Sequence, residues 1–363
     1  MRGAYTRGFE RTRAVTKELR NISEQRQRDP RSRAPVTLGP DTLPRMRTPK
    51  YLLVCSSVVC LATVAVQGQD QRPPPTAVWA PKPVRTPAYT PPQKPWVKLS
   101  DLKARHKGDA NWRELVVDDG RLTGEYISAA PGSKVSRRLH PDTREWFAVV
   151  EGQVRVELEG QAPFTATRGS LVNIPRQTFY SLETIGDAPS LRWIVNVARA
   201  KTLYPRESAE PPAAAPPPGM SWVPVMVNRT AGQYDQFNQP HINIHEAAAK
   251  NEKYTGGRWV RDDKSELLII YGHEKNLPPL DPADKGHYHP ESAEFWLIFT
   301  GQIRHAIEGQ PPFIASEGDI VYAPANAWHA TRFYGPEPAC RLSITEYVGN
   351  TLLLEPRTET PRR

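Results

Sequence analysis

The sequence predicts an all-β protein that contains two tandem domains, and three observations favour this prediction. Apolar runs of strand length, such as residues 294–299, are separated by glycines and prolines that suit turns. A helix is expected only at residues 244–253, which include an Ala-Ala-Ala-Lys run. A shift of 149 positions superimposes an earlier segment on a later one without gaps, so that Glu-Gly-Gln-Ala-Pro-Phe at 159–164 falls on Glu-Gly-Gln-Pro-Pro-Phe at 308–313. A repeat this long is a duplicated domain, since solenoid repeats run about 20 to 50 residues.

The amino-terminal part of the chain has the composition of a leader. Residues 1–45 are strongly basic, and residues 46–68 have the features of a signal peptide: a positive start, an apolar run at 51–66 and small residues around Val66-Gln67-Gly68. We therefore expect translation to begin at Met46 and residues 1–45 to be a disordered upstream over-extension. The mature protein is then periplasmic or secreted. An uncleaved signal anchor is the alternative, although the apolar run is short for a membrane span.

Composition divides the remainder of the chain into two segments of domain size. Residues 69–97 are rich in proline and predict an extended lead-in to the first domain, at 98–205. A second proline-rich stretch at 206–222 predicts a stiff linker. The second domain is expected at 223–354, followed by a short tail at 355–363. Cys340 is the one cysteine after the predicted signal peptide, so no disulfide is expected within the mature chain.

The net charge of +9 belongs mainly to the leader. Residues 1–45 carry 11 Lys and Arg against 5 Asp and Glu, and Arg47 and Lys50 add two more positive charges, which leaves +1 for all other residues. The sequence shows no basic stripe interleaved with aromatic residues, so we expect no nucleic-acid partner. We expect a small-molecule ligand or substrate and no stable membrane anchor after cleavage, and a homo-oligomer is possible.

The second domain contains residues that suit a metal site. His287 and His289 are two residues apart, so on a strand both imidazoles would point to one face. Glu294 follows after a short connection, and His329 arrives from a later strand after Pro324. Three imidazoles and one carboxylate suit a divalent first-row metal. We predict one such ion (Mn, Fe, Zn, Ni or Cu) bound by His287, His289, Glu294 and His329.

These residues resemble the two motifs of the cupin superfamily. The match covers the four ligands together with Gly301, Gly318 and Pro324; Asp281 and Asn326 stand where the motifs usually have glycine. With the repeat, the whole resembles a bicupin, the arrangement of oxalate decarboxylases, quercetin dioxygenases and gentisate dioxygenases. The resemblance implies two tandem cupin barrels of the double-stranded β-helix, jelly-roll-like type.

The ligand positions are altered in the first domain. Arg138 and Tyr180 stand where the second domain has histidines, whereas His140 and Glu145 are kept. A guanidinium does not ligate a metal and a neutral tyrosine is a poor ligand, so we expect no metal there. Two interpretations stay open: these four residues form an anion pocket, or Arg138 simply pairs with Glu145.

The motifs also predict where several neighbouring aromatic and titratable residues lie. Trp296 and Tyr322 are candidates to lie near the metal or to line its pocket. Alternation along residues 294–299 predicts that Glu294, Trp296 and Ile298 point into the domain, while the intervening residues face an apolar cover, which is the other domain or a second subunit. His305 is expected at the surface.

Three functions remain open on the sequence. One is a metal-dependent oxygenase or decarboxylase that acts on a small organic substrate. Another is a metal-dependent isomerase or lyase on a sugar-like substrate. The third is a non-catalytic ligand-binding or sensing protein whose metal is structural. We find no general acid or base among the motif residues.

Overall fold

A computed structural model describes residues 76–207, 210–346 and 351–355. The predicted signal peptide and residues 1–45 lie outside this range. Among the described residues, no helix is both long and apolar enough to cross a membrane. The structure is mostly β, as predicted, and each domain is built from two sheets.

The first half contains helix α1 (Leu99–Arg105) and ten strands, which are β1 (Trp96–Val97), β2 (Trp112–Asp118), β3 (Leu122–Ala129), β4 (Lys134–Arg138), β5 (Glu145–Glu151), β6 (Gln153–Leu158), β7 (Phe164–Thr167), β8 (Ser170–Ile174), β9 (Tyr180–Ile185) and β10 (Ser190–Val197). The second half contains helix α2 (Ile244–Lys250), a 3-10 turn (Glu274–Asn276) and β11 (His241–Asn243), β12 (Gly256–Arg261), β13 (Ser265–Gly272), β14 (His287–Tyr288), β15 (Glu294–Thr300), β16 (Gln302–Ile307), β17 (Phe313–Ser316), β18 (Ile320–Ala323), β19 (His329–Tyr334), β20 (Ala339–Glu346) and β21 (Leu353–Leu354).

The expected helix at 244–253 is confirmed, and it begins where Asn243 caps it. The Asn243 side chain accepts hydrogen bonds from the backbone amides of His245 and Glu246. The expectation that this is the only helix is wrong, because α1 also forms. Leu99 and Leu102 give α1 a buried side, but two apolar residues in seven are too weak a pattern to predict a helix.

Each domain pairs a six-stranded sheet with a smaller one. In the first domain the strand orders are β11-β8-β5-β10-β3-β2 and β4-β9-β6-β7; in the second they are β1-β18-β15-β20-β13-β12 and β17-β16-β19-β14-β21. The strands of each domain therefore form two-sheet jelly-roll sandwiches, and the described strands do not close into one continuous hydrogen-bonded barrel. Apolar side chains fill the space between the two sheets of each domain.

The two domains exchange short strands. β1 precedes the first domain but pairs with β18 of the second, with Trp96 opposite Val321. β11 lies near the start of the predicted second domain but pairs with β8 of the first, with His241 opposite Val172. Val172 and Val321 are related by the same 149-residue shift as the domains. The end of the predicted lead-in is therefore built into the second domain, which ties the domains together.

The outer faces of the two six-stranded sheets form a shared core. This core takes residues from both domains, among them Trp146, Trp193, Phe295, Leu297 and Phe299. Trp296 and Ile298 instead pack inside the second domain. The predicted alternation along residues 294–299 is thus confirmed, and the apolar cover on the outward side is the other domain.

Asp319 holds the exchanged segment in place. This buried carboxylate accepts hydrogen bonds from the Trp96 indole (2.9 Å), the Leu99 backbone amide (3.0 Å) and the Ser316 backbone amide (3.0 Å). Two of its partners therefore belong to the segment that crosses from the first domain, so Asp319 links β1 and α1 to the second domain.

We predict that Asp319→Ala lowers the free energy of unfolding by about 2 to 4 kcal/mol, because three donors lose a charged acceptor. Urea unfolding checks this. The control is Asp187→Ala in an exposed turn, which should change stability by no more than about 0.5 kcal/mol. Equal effects of the two substitutions would show that Asp319 does not anchor the exchanged segment.

Candidate metal centre

The structure brings the four predicted ligands together. His287 lies on β14, His289 follows that strand, Glu294 begins β15 and His329 begins β19. β14 and β19 pair with His287 opposite His329. The potential ligand atoms of the four residues all lie within 4.8 Å of one another. Three segments distant in sequence therefore present one compact set of nitrogen and oxygen donors.

Gly286 is needed for this close approach. It has a φ of 73°, in the left-handed region that favours glycine. A Cβ atom at this position would lie 2.2 Å from the backbone oxygen of His329. Any side chain would therefore push β14 away from β19 and separate His287 from His329.

The imidazole nitrogens converge on one carboxylate oxygen. Glu294 Oε2 lies 3.0 Å from His289 Nε2, 2.9 Å from His329 Nε2 and 3.5 Å from His287 Nε2. The Nε2 atoms of His329 and His287 are themselves 3.0 Å apart. Each of the four residues thus turns one potential ligand atom toward the same small volume.

The opposite ring nitrogens define the tautomers. His329 Nδ1 is 3.0 Å from the backbone oxygen of Ala327, and His289 Nδ1 is 3.2 Å from that of Thr351. A carbonyl oxygen only accepts, so both Nδ1 atoms donate. In the neutral rings Nε2 then carries a lone pair, which is the arrangement common to metal-binding histidines.

Lone pairs that face a carboxylate oxygen at these distances repel one another unless a positive charge lies between them. Protons on all three Nε2 atoms would not solve this, because three cationic imidazoles would then surround a single carboxylate. Burial lowers the pKa of His287, which also favours its neutral form. The donor set therefore fits one divalent cation of the kind that binds imidazole and carboxylate.

Glu294 is held so that one oxygen faces the histidines. Its Oε1 accepts a hydrogen bond from the Ser343 hydroxyl. Burial by itself would raise the pKa of Glu294, but the interaction with the imidazoles of His287, His289 and His329 outweighs this and holds the pKa well below its ordinary value. The carboxylate is therefore ionised and presents Oε2 as a single ligand atom.

The site is closed on most sides and more open at one. His289, Glu294 and His329 are 2%, 6% and 1% exposed. The His287 side chain is 26% exposed. Solvent or a small molecule would therefore reach the centre from the side of His287.

The corresponding residues of the first domain satisfy one another. The Tyr180 hydroxyl donates to Glu145 Oε1 (2.7 Å), Arg138 Nε donates to the Tyr180 oxygen (2.7 Å), and His140 Nε2 lies 3.1 Å from Glu145 Oε2. Only one imidazole faces the carboxylate here, and its Nδ1 donates to the backbone oxygen of Lys201 (2.8 Å). The arrangement matches the simpler of the two interpretations of the sequence, in which Arg138 and Glu145 attract each other, at 3.8 Å.

The electrostatics of Glu145 agree with this network. Burial alone would raise the pKa of Glu145. The hydrogen bond from His140 and the charges of His140 and Arg138 have the larger opposite effect and lower the pKa to about 2. The carboxylate thus stays ionised without a metal. Guanidinium and phenol replace two of the imidazoles, so the first-domain residues do not fit a divalent cation.

Trp296 lies beside the metal ligands, whereas Tyr322 does not. The Trp296 ring is 5.2 Å from that of His329, in an edge-to-face contact. Tyr322 pairs with Phe295 across β15 and β18 and therefore lies on the opposite face, in the core between the domains. The expectation that Tyr322 lines the metal pocket is wrong, because the register of β18 turns its side chain outward.

His305 is buried, against the expectation of a surface position. It is 0% exposed, and its ring lies 5.3 Å from that of Trp296. Neither ring nitrogen has a hydrogen-bond partner among the described residues. Alternation with Ile303 and Ile307 on β16 was the available signal, because both are buried and share a face with His305.

Arg341 is a second polar group inside this domain that the sequence did not single out. It pairs with Ile298 across β15 and β20, so its side chain starts on the inward face. Its Nε has no hydrogen-bond partner in the part of the chain that the structure describes. Burial lowers the pKa of Arg341 to about 10. The Arg341 guanidinium lies 5.4 Å from the centre of the Phe333 ring, and no described carboxylate pairs with it in direct contact.

Comparison with known proteins agrees with this architecture. The sequence profile of the family described as "Cupin domain" matches residues 126–197 and 274–345. No curated protein matches significantly. Solved structures with a similar fold include a Cupin 2 conserved barrel domain protein from Leptotrichia buccalis, which is 16% identical over 72% of this chain and 96% of its own, with a TM-score of 0.46.

Two enzymes are also among the similar structures. A mutant of oxalate decarboxylase from Bacillus subtilis is 14% identical over 75% of this chain and 81% of its own, with a TM-score of 0.43. Salicylate 1,2-dioxygenase from Pseudaminobacter salicylatoxidans is 12% identical over 70% of this chain and 83% of its own, with a TM-score of 0.48.

We predict that the purified chain holds about one divalent ion and that His329→Ala lowers its affinity by at least about tenfold, because a first-row ion loses one of four ligands. Elemental analysis after dialysis checks this. The matched control is His140→Ala, which removes the one histidine kept at a ligand position of the first domain and should leave the metal content unchanged. Two ions per chain, or loss of metal on the His140 substitution, would contradict the assignment.

Proposed function

We propose that this chain, which carries two cupin domains in tandem, is a metal-dependent enzyme that acts on a small organic substrate. Its one metal centre lies in the second domain, and oxidation by dioxygen or decarboxylation is the favoured class of reaction. The observation that carries the proposal is the convergence of three imidazole nitrogens and one carboxylate oxygen within 4.8 Å, with one ligand partly exposed. Such a set binds a divalent ion and leaves positions for substrate on the open side.

His287, His289, Glu294 and His329 would hold the ion. When bound, the ion supplies a Lewis acid for a substrate oxygen, or a redox centre if it is a redox-active metal. The chain fixes the ligands in advance: backbone carbonyls orient His289 and His329, and Ser343 orients Glu294. Ligands held in this way need little rearrangement when substrate binds.

Two further groups inside the second domain, Arg341 and His305, have the chemistry to bind a substrate and to transfer a proton. The Arg341 guanidinium, which is not engaged by any described carboxylate within ion-pair distance, suits a carboxylate or another oxygen anion. Burial holds the pKa of His305 well below its ordinary value, so its neutral ring offers one nitrogen that donates a proton and one that accepts. In the proposed enzyme, Arg341 orients an anionic substrate and His305 moves a proton.

The first domain supports this assignment by contrast. The position of His305 is occupied there by Val156 under the 149-residue shift, and Val156 packs in the apolar interior. The first domain therefore lacks both the full ligand set and a counterpart of the His305 imidazole. These polar features occur together in the second domain, as expected if they serve one reaction.

A non-catalytic ligand-binding protein with a structural metal is the second candidate. The observation that favours it is the nearly complete burial of His289, Glu294 and His329, since structural sites are closed to solvent. The partial exposure of His287 favours the enzyme. The two candidates differ in whether the bound ion has an exchangeable position.

We predict that azide or acetate changes the visible absorption spectrum of the Co²⁺-loaded chain, because an open coordination position exchanges its ligand. The His140→Ala variant is the matched control and should respond like the parent chain. A spectrum that neither anion perturbs, in protein shown to contain one Co²⁺ per chain, would favour the structural metal over the enzyme.

We also propose that the chain is exported to the periplasm or secreted. The support is the positive start, apolar run and small residues of positions 46–68. Amino-terminal sequencing of the natural protein should give a start near Gln69. Recovery of an intact chain that includes residues 1–45 would contradict both the start at Met46 and the cleavage.

A further inference from the structure

The first domain contains a cavity of about 410 Å³, and Arg138 and Arg192 are among the residues that line it. Its wall is apolar at Trp112, Ile127 and Val135. Exposed Lys134 lies at its rim, so the cavity reaches the surface. Its volume lies within the range of small-molecule sites.

Arg192 is the charged group in this cavity that has no ion-pair partner in direct contact, although the charge of Glu145 acts on it at longer range. It lies on β10 opposite Val149, which packs in the interior, so its side chain starts on the inward face. It is 3% exposed. Its Nε has no hydrogen-bond partner, and within the described residues its side chain forms no ion pair that meets the usual distance limits. A buried charge of this kind is costly unless something pairs with it.

The other charged residues around the cavity already have partners. Arg138 donates to Tyr180, and Lys134 lies 3.5 Å from Glu183. Arg113 and Glu125 form a two-pronged ion pair, with the closest atoms 2.7 Å apart. Glu145 also borders the cavity, but its oxygens accept from Tyr180, His140 and Asn196. Arg192 is therefore the cation in this wall that is left to bind something else.

We propose that this cavity binds a small organic monocarboxylate. Its carboxylate would accept two hydrogen bonds from the planar guanidinium of Arg192, a geometry that arginine favours. Its apolar part would lie against Trp112, Ile127 and Val135. The first domain is then a ligand-binding domain that needs no metal.

This site differs from the anion pocket considered from the sequence. The residues expected there were Arg138, His140, Glu145 and Tyr180, and the structure shows that they engage one another. Arg192 instead corresponds to Arg341 under the 149-residue shift. Both domains thus have an arginine on the inward face at equivalent positions, on β10 and β20, although only the second domain has a full ligand set. The proposal does not depend on the activity of the second domain.

The test uses the full chain after removal of metal with a chelator, so that no carboxylate binds to an ion in the second domain. Fluorine NMR titrations with 4-fluorobenzoate and trifluoroacetate measure binding of an aromatic and an aliphatic carboxylate. The neutral 4-fluorobenzamide tests the need for charge. We expect saturable binding of at least one of the two anions, and at least tenfold weaker binding of the amide than of 4-fluorobenzoate if the aromatic anion is the one bound.

The substitution Arg192→Met should weaken binding of that anion at least tenfold, whereas Arg155→Met, at an exposed position of the same domain, should leave it unchanged. Arg192→Lys keeps the charge without the planar fork and should give intermediate affinity, which decides the question if the methionine variant does not fold. Circular dichroism confirms folding of each variant. The absence of saturable binding of both anions, or binding that Arg192→Met and Arg192→Lys leave unchanged, would overturn the proposal.

Discussion

The second domain is organised around a set of lone pairs that need a cation. Three imidazole nitrogens face one carboxylate oxygen, at 2.9 to 3.5 Å. The chain supports this arrangement at several points. Gly286 allows β14 to approach β19, and Ser343 turns Glu294 so that one oxygen faces the histidines. The clustered lone pairs therefore need a bound cation, and this need is the strongest structural argument about function.

The packing of the two domains explains how such a cluster stays rigid. β15 carries Glu294 and Trp296 on its inward face, and Phe295 and Leu297 on the face buried against the first domain. The exchanged strands β1 and β11 extend the six-stranded sheets at equivalent positions. The first domain thus covers the sheet that presents the ligands, whatever small molecule it binds itself. Its incomplete ligand set does not affect this structural role.

Much of the site could be predicted from the sequence because its signals are local or periodic. The spacing of His287, His289 and Glu294 places them on one strand and at the start of the next, and alternation alone gives the two faces of β15. The orientation of Tyr322 could not be obtained in this way, because it depends on the register of β18 against β15. His305 was misplaced although its neighbours alternate, since a histidine is an uncommon residue in an apolar interior. The strand exchange rests on two- and three-residue strands, whose pairing is decided by distant partners.

The most direct test of the central claim is X-ray absorption spectroscopy of the full chain loaded with one equivalent of Co²⁺. If the lone pairs of the second domain bind the ion, the spectrum will show a mixed nitrogen and oxygen first shell together with the outer-shell scattering of about three imidazole rings. A first shell of oxygen alone, without imidazole scattering, would show that the ion binds elsewhere and that the histidine cluster serves another purpose.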